Sequence, residues 1–336
     1  MTIVFLRFRN FFGEMLKLFC RRKIYFMAIG NIVNKKSGGT MKKFFLSLFA
    51  AGALFSTFAQ EHVFDEVALG LDGFASSLEK TLPNAAVQQN VYADAWIGKF
   101  FPSAPPHFGF GAEFGVAKFD LSPLKDVAGI FGISAIPKTF IFPTFTANAR
   151  LGGVILPFDL GLSFMYIDLS KLRLVDGIGV NYFNVGGDFR WAIFKGEGAF
   201  PKLSVGGGFY YTKGGFSFEK DGFDTSLDYS VKTAFFSAQI SKKFIFFTPY
   251  AGFRGIFSDS DIKWNWKVTS ELAGDSNYTG ALAVSGKNSS GFFGSFMPQV
   301  FGGFGLDISM MALNFGASWD FKNSIWAADV SVRFQL

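Results

Sequence analysis

The end of the chain, residues 324–336, alternates without a break. Ala328, Val330, Val332, Phe334 and Leu336 fall on one side of an extended backbone, and Asp329, Ser331, Arg333 and Gln335 on the other, because successive strand residues point to opposite faces. One face is wholly apolar and the other carries full charges. The same rhythm recurs upstream over residues 107–119, 144–152, 158–168, 185–194, 202–213, 232–240, 247–257, 296–307 and 311–320. In the clearest of these, Phe108, Phe110, Ala112, Phe114 and Val116 alternate with Gly109, Gly111, Glu113 and Gly115. Each run is near the length that a tilted strand needs to cross a bilayer. Residues 90–100 are ambiguous, with Tyr92, Asp94 and Trp96 on one face.

The connections carry a second pattern. Residues 153–157, 195–201, 241–246 and 308–310 are short links, and between them lie the long ones, 120–143, 169–184, 214–231 and 258–295. Only the last hairpin, through residues 321–323, breaks the alternation. Membrane barrels have short turns at one end and long loops at the other, with an even number of strands that returns both ends of the wall to one side. The expectation is an all-β chain, a transmembrane antiparallel up-and-down β-barrel of about ten strands, with twelve and eight as alternatives. A half-buried sheet in a soluble sandwich is the competing reading of any single run.

Ahead of the strands the period changes. Phe64, Val67, Ala68, Leu71, Phe74, Ala75, Leu78 and Leu82 recur at helical spacing, weakened by Gly70 and Gly73, which predicts a short helix or irregular plug over residues 61–89. Residues 60–105 are accordingly read as an N-terminal plug in the lumen or at the periplasmic mouth, with a flexible leader as the alternative, and residues 106–336 as the barrel. Farther forward, residues 41–59 have Lys42 and Lys43, then an apolar stretch, then small residues at Thr57 and Ala59. That order is a secretory signal peptide, and it puts cleavage after Ala59 and the start of the exported chain at Gln60. A start codon assigned too far upstream accounts for residues 1–40.

Composition agrees with an apolar exterior. The chain has 336 residues, 49% of them hydrophobic and 17% charged, with 48 Phe and 39 Gly, yet past residue 60 no run of uninterrupted apolar residues is long enough for a membrane helix. Charge changes sign on export. Residues 1–59 hold ten of the 32 Lys and Arg and one of the 26 acids, so the remainder carries −3 where the full chain carries +6. The basic balance of the full sequence is therefore no argument for nucleic-acid binding. The single cysteine, Cys20, lies in the leader, which leaves the exported chain without a disulfide framework or thiolate site.

Catalytic chemistry is sparse. His62 and His107 are the only histidines, and neither has the spacing of a metal site or of a nucleophile's base, so no enzyme, cofactor or metal is expected. His107 near Ser103 invites a lipid hydrolase, but a rim histidine beside Pro105 and Pro106 is the simpler reading. Gly206, Gly207 and Gly208 lie within a predicted strand and lack the following helix of a phosphate loop. The inward-facing set says more: Glu113, Arg150, Asp159, Asp188, Arg190, Arg254, Gln299, Asp307, Asn314, Asp329 and Arg333 mix both signs. They are candidates to line a watery pore or to cancel in a closed ion-pair network. Tyr166, Trp191, Tyr211, Trp319 and Trp326 fall at strand ends, as interfacial girdles do. In the longest loop Trp264 and Trp266 alternate with polar residues; they would either extend the barrel as a hairpin or offer a ligand surface.

The segments FPTFTANARLGGVILPFDLGLSFMYIDLS at 142–170 and FFTPYAGFRGIF at 246–257, together with the terminal strand, resemble small bacterial outer-membrane barrels of the OmpW-type and fatty-acid-transporter families. The chain's end, at Val330, Val332, Phe334 and Leu336, resembles the C-terminal assembly signal of such proteins, with Leu336 where an aromatic is usual. The resemblance implies an outer-membrane location, contact with membrane lipid, engagement of the barrel assembly machinery, and passive passage of small or hydrophobic solutes. A structural or adhesive protein that displays its outer loops is the alternative.

Overall fold

The computed structural model describes residues 60–88, 92–96, 107–123, 125, 138–152, 156–168, 178–196, 198–220, 223–268, 282–308 and 310–335. The upstream extension, the signal peptide with its Ala59 cleavage site, Ser103 and the terminal Leu336 lie outside them.

Among the described residues one helix precedes eleven strands: α1 (Gln60–Ala86), β1 (His107–Asp120), β2 (Thr139–Gly152), β3 (Phe158–Asp168), β4 (Ile178–Lys195), β5 (Lys202–Lys220), β6 (Phe223–Ser241), β7 (Phe247–Val268), β8 (Leu282–Ser290), β9 (Met297–Ile308), β10 (Met311–Asp320) and β11 (Ile325–Gln335). Ten of the strands close into a ring in which every neighbour is antiparallel. Sequential neighbours pair from β1 to β7, then β7 pairs with β9, β9 with β10, β10 with β11, and β11 with β1. Closure leaves no edge, which is what a bilayer demands of a β structure. Among the described residues no helix is long and apolar enough to cross a membrane.

β8 stands outside the ring. It pairs with the far half of β7, from Ser260 to Val268, whereas β9 pairs with the near half, from Phe247 to Ile256. Here the sequence reading is corrected. Residues 214–231 and most of 258–295 are not loops: β5 and β6 run on for 19 residues each and β7 for 22, about twice what a bilayer crossing requires. The extra halves form a sheet that projects beyond one rim. Outward apolar residues mark only the part of a strand that meets lipid, so the pattern ends where the lipid does and the strand does not. Residues 92–96, part of the ambiguous run, form no strand and lie inside the barrel.

Burial follows the pleat. β3 alternates strictly, with Leu160, Leu162, Phe164 and Tyr166 exposed on the outside and Asp159, Gly161, Ser163 and Met165 buried inside. A bulge between Ala192 and Phe194 turns both Ile193 and Phe194 outward, because an extra residue shifts the alternation by one. At the seam, Phe110 and Phe334 face each other and stack outside with centroids 5.6 Å apart. Val330 is exposed on the same outer face, with Val332 between them partly covered. The wall begins and ends at the rim that carries the short turns, since His107 pairs with Gly152 and Gln335 with Gly109. That end is called the turn rim below, and the end with the projecting sheet the hairpin rim.

Candidate functional site: a threaded lumen

The interior of the ring is occupied by the chain itself, through the later turns of α1 with Val87 and Gln88, and through residues 92–96. In α1, Leu71, Ala75, Leu78 and Leu82 are buried, a stripe one helical face wide. Near the hairpin rim Phe74 meets Phe119 edge-on at 5.3 Å. A Cβ on Gly73 would come within 2.6 Å of the Pro123 side chain, so this helical glycine permits close approach of helix and wall. Trp264 Nε1 donates to Asp72 Oδ1 at 2.9 Å, and Asn288 Nδ2 to the Asp72 carbonyl at 3.0 Å. The two tryptophans of the longest connection are thus inward residues of the projecting sheet, Trp264 and Trp266 both being buried.

At the next level down, Asn84 donates to Asp320 Oδ2 at 3.1 Å and accepts from Gln299 Nε2 at 3.0 Å. Gln299 in turn accepts from Arg254 at 2.9 Å. The Arg254 guanidinium lies over the rings of Phe301 and Phe235, 4.7 and 5.3 Å from their centroids, an arrangement in which aromatic faces substitute for part of the lost hydration. Gln88 Nε2 donates to the carbonyls of Ala328 at 2.7 Å and Val116 at 3.3 Å, one from each seam strand. It sits over Gly115, where a Cβ would come within 2.6 Å of Thr144 Oγ1 and 3.0 Å of Gln88 Nε2.

Below this the charges concentrate. Arg150 bridges Asp159 and Asp188. Arg190 holds Asp159 through Nε at 2.8 Å and a second nitrogen at 2.9 Å, and its remaining nitrogen donates to the Asp94 carbonyl at 2.9 Å. Two-pronged pairs of this kind are the strong, shape-specific form of the ion pair. The Tyr92 ring lies between Arg150 and Arg333, at 5.2 and 4.8 Å, and Arg333 faces Asp307 at 3.6 Å, itself 2.6 Å from Lys243. At the turn rim Gln239 donates to the carbonyls of Ala93 at 2.9 Å and Tyr92 at 3.3 Å, and the Ala95 amide donates to Ser241 Oγ at 2.8 Å. Lys202 reaches Asp94 Oδ1 at 3.1 Å and the Trp96 carbonyl at 3.2 Å.

All eleven candidate lumen residues lie on the inner face. Glu113, Arg150, Asp159, Arg190, Arg254, Gln299, Asn314, Asp329 and Arg333 are buried, and Asp188 and Asp307 half-buried. Asn314 donates to Ser331 Oγ at 3.1 Å. The structure joins Arg150, Asp159, Asp188 and Arg190 into one network, and it sets Glu113 and Asp329 on the two seam strands, with Gln88 over Gly115, the partner of Asp329. Sequence reasoning missed Gln239, Asp320, Lys202, Asn84 and Gln88. Gln239 and Asp320 stood at inward positions of the alternation and were legible there. The amides clustered in residues 84–90 hinted that the end of the helix seeks polar partners.

No family model matches this sequence, and no curated protein matches it at significance. Solved structures that resemble it include the outer membrane protease OmpT from Escherichia coli, at 8% identity and TM-score 0.37 over 69% of this chain and 96% of that one. The translocator domain of the autotransporter NalP from Neisseria meningitidis matches at 7% identity and TM-score 0.35, over 83% and 99%. A major outer membrane protein from Thermus thermophilus matches at 8% and 0.30, over 69% and 99%. What the chain itself shows is a closed ten-strand antiparallel β-barrel with an apolar outer face.

Proposed function

We propose that the protein is an outer-membrane barrel, closed at rest by its own amino-terminal segment, that displays the projecting β4–β8 sheet at the cell surface as a structural or adhesive element. The observation that carries this reading is the series of contacts made by Asp72, Asn84, Gln88, Asp94 and Trp96, which meet the wall from the projecting sheet to the turn rim. A bore filled in this way offers no free path to solutes, while strands continued beyond the lipid have a use only outside it. The apolar outer face then contacts outer-membrane lipid, and β11 with Phe334 is the segment offered to the assembly machinery. No catalytic role is assigned to any residue.

A second reading, a conduit for small solutes that opens when the segment leaves, draws support from the polarity of the contacts: the end of the segment is held by hydrogen bonds and charges, which water can replace, more than by apolar burial. Single-channel recording of the intact chain in planar bilayers separates the two. Display predicts no steady conductance, and reproducible conductance steps from the wild-type chain would refute closure and favour the conduit.

A further inference from the structure

The order of α1 and residues 92–96 along the barrel has a direction. Residues 92–96 are fastened at the turn rim by Gln239, Ser241 and Lys202, Asn84 sits level with the start of β9 through Met297 and Gln299, and Asp72 is bound to the projecting sheet by Trp264 and Asn288. The helix runs along the barrel axis. From Asn84 back to Asp72 it rises about 18 Å at 1.5 Å per residue. The wall from Ile256, the partner of Met297, up to Trp264 climbs about 26 Å along the strand, or about 20 Å along an axis to which the strands are tilted by about 40°. The two climbs agree. The turns of α1 before Asp72 therefore continue past the contact with Trp264 toward and beyond the hairpin rim, and there Asp65, Glu66 and Leu69 are exposed.

The wall itself starts at His107 and finishes at Gln335, both at the turn rim. Gln60 and Gln335 thus lie at opposite ends of the barrel. We propose that this barrel carries its own amino-terminal segment across the outer membrane and displays on the cell surface the helical turns that precede Asp72. The proposal rests on the display reading, which makes the hairpin rim external. Gln88 donates to a carbonyl of each seam strand, which ties the threaded segment to the β1–β11 pair that closes the ring.

Surface labelling tests this directly, because Cys20 is the only cysteine and a Cys20→Ser background admits single reporters. Three are informative: Leu69→Cys on α1, where the native side chain is 71% exposed, Ser285→Cys on the exposed face of β8, and Ile245→Cys in the β6–β7 turn, 91% exposed. Intact cells are treated with a membrane-impermeant biotin maleimide, and a parallel sample is treated after the outer membrane is permeabilised. A heat-modifiable gel shift verifies that each variant is folded. The expected result is that Leu69→Cys and Ser285→Cys label equally before and after permeabilisation and Ile245→Cys only after it. If Leu69→Cys joins Ile245→Cys while Ser285→Cys still labels on intact cells, the helix end is internal and the proposal falls, with display untouched. If Ile245→Cys labels on intact cells and Ser285→Cys does not, the barrel is inserted in the opposite sense and the display reading falls with it.

Discussion

Replacing Gln239 by Leu should loosen the lower end of the threaded segment and leave the wall intact. Gln239 is 5% exposed, and its amide nitrogen donates to the carbonyls of Ala93 and Tyr92. Leucine keeps about the same volume but offers no donor, so two carbonyls of a buried stretch lose a partner. Each such loss is worth about 1–2 kcal/mol in this setting, since a buried group left unsatisfied forfeits its desolvation cost as well as the bond. The total, about 2–4 kcal/mol, raises the ratio of released to seated segment by about 30-fold to 700-fold at 1.4 kcal/mol per tenfold. Hydrogen exchange reads this local opening. The Ala95 amide, which donates to Ser241 Oγ, should exchange faster in the variant by that factor, while amides of β1 to β3 keep their wild-type protection. Unchanged exchange over residues 92–96 would mean that Gln239 does not hold the segment, and the account of the turn-rim latch would be wrong.

Further outcomes follow from particular contacts. Asp159→Ala leaves Arg150 and Arg190 facing each other without their shared carboxylate, a buried imbalance worth about 3–5 kcal/mol; the folded band in a semi-native gel should convert at a lower temperature than the wild type. Gly115→Val places a branched side chain where Gln88 and Thr144 already sit, so exchange should rise around residues 84–88 more than at 60–72. Val330→Asp combined with Phe334→Asp puts carboxylates on the outer face of the closing strand and should abolish insertion; a protease-resistant barrel in the membrane fraction would contradict the assigned seam.

What the sequence determined by itself is the wall. Period-2 alternation is a local property, fixed by which side of the backbone each side chain takes, so the runs containing Leu160, Leu162 and Phe164, or Val330 and Phe334, declare strand, face and solvent without reference to any partner. Their number, ten in the ring, followed from the same pattern, as did the inward side of Arg150, Asp159, Arg190 and Arg333. Three things waited for the tertiary structure. The length of β5, β6 and β7 was hidden, because beyond the lipid no apolar face is required and the signal lapses while the hydrogen bonds of the hairpins continue. The pairing of the inner charges was hidden, because charge signs along a strand do not say which carboxylate meets which guanidinium; the register, which sets Asp159 opposite Arg190 and Gly161 opposite Arg150, brings them together. The direction of the helix was hidden as well. Helical spacing gives α1 an apolar stripe and no orientation, and it is contacts distant in sequence, Asp72 with Trp264 at one rim and Trp96 with Lys202 at the other, that fix which way the chain runs through its own barrel.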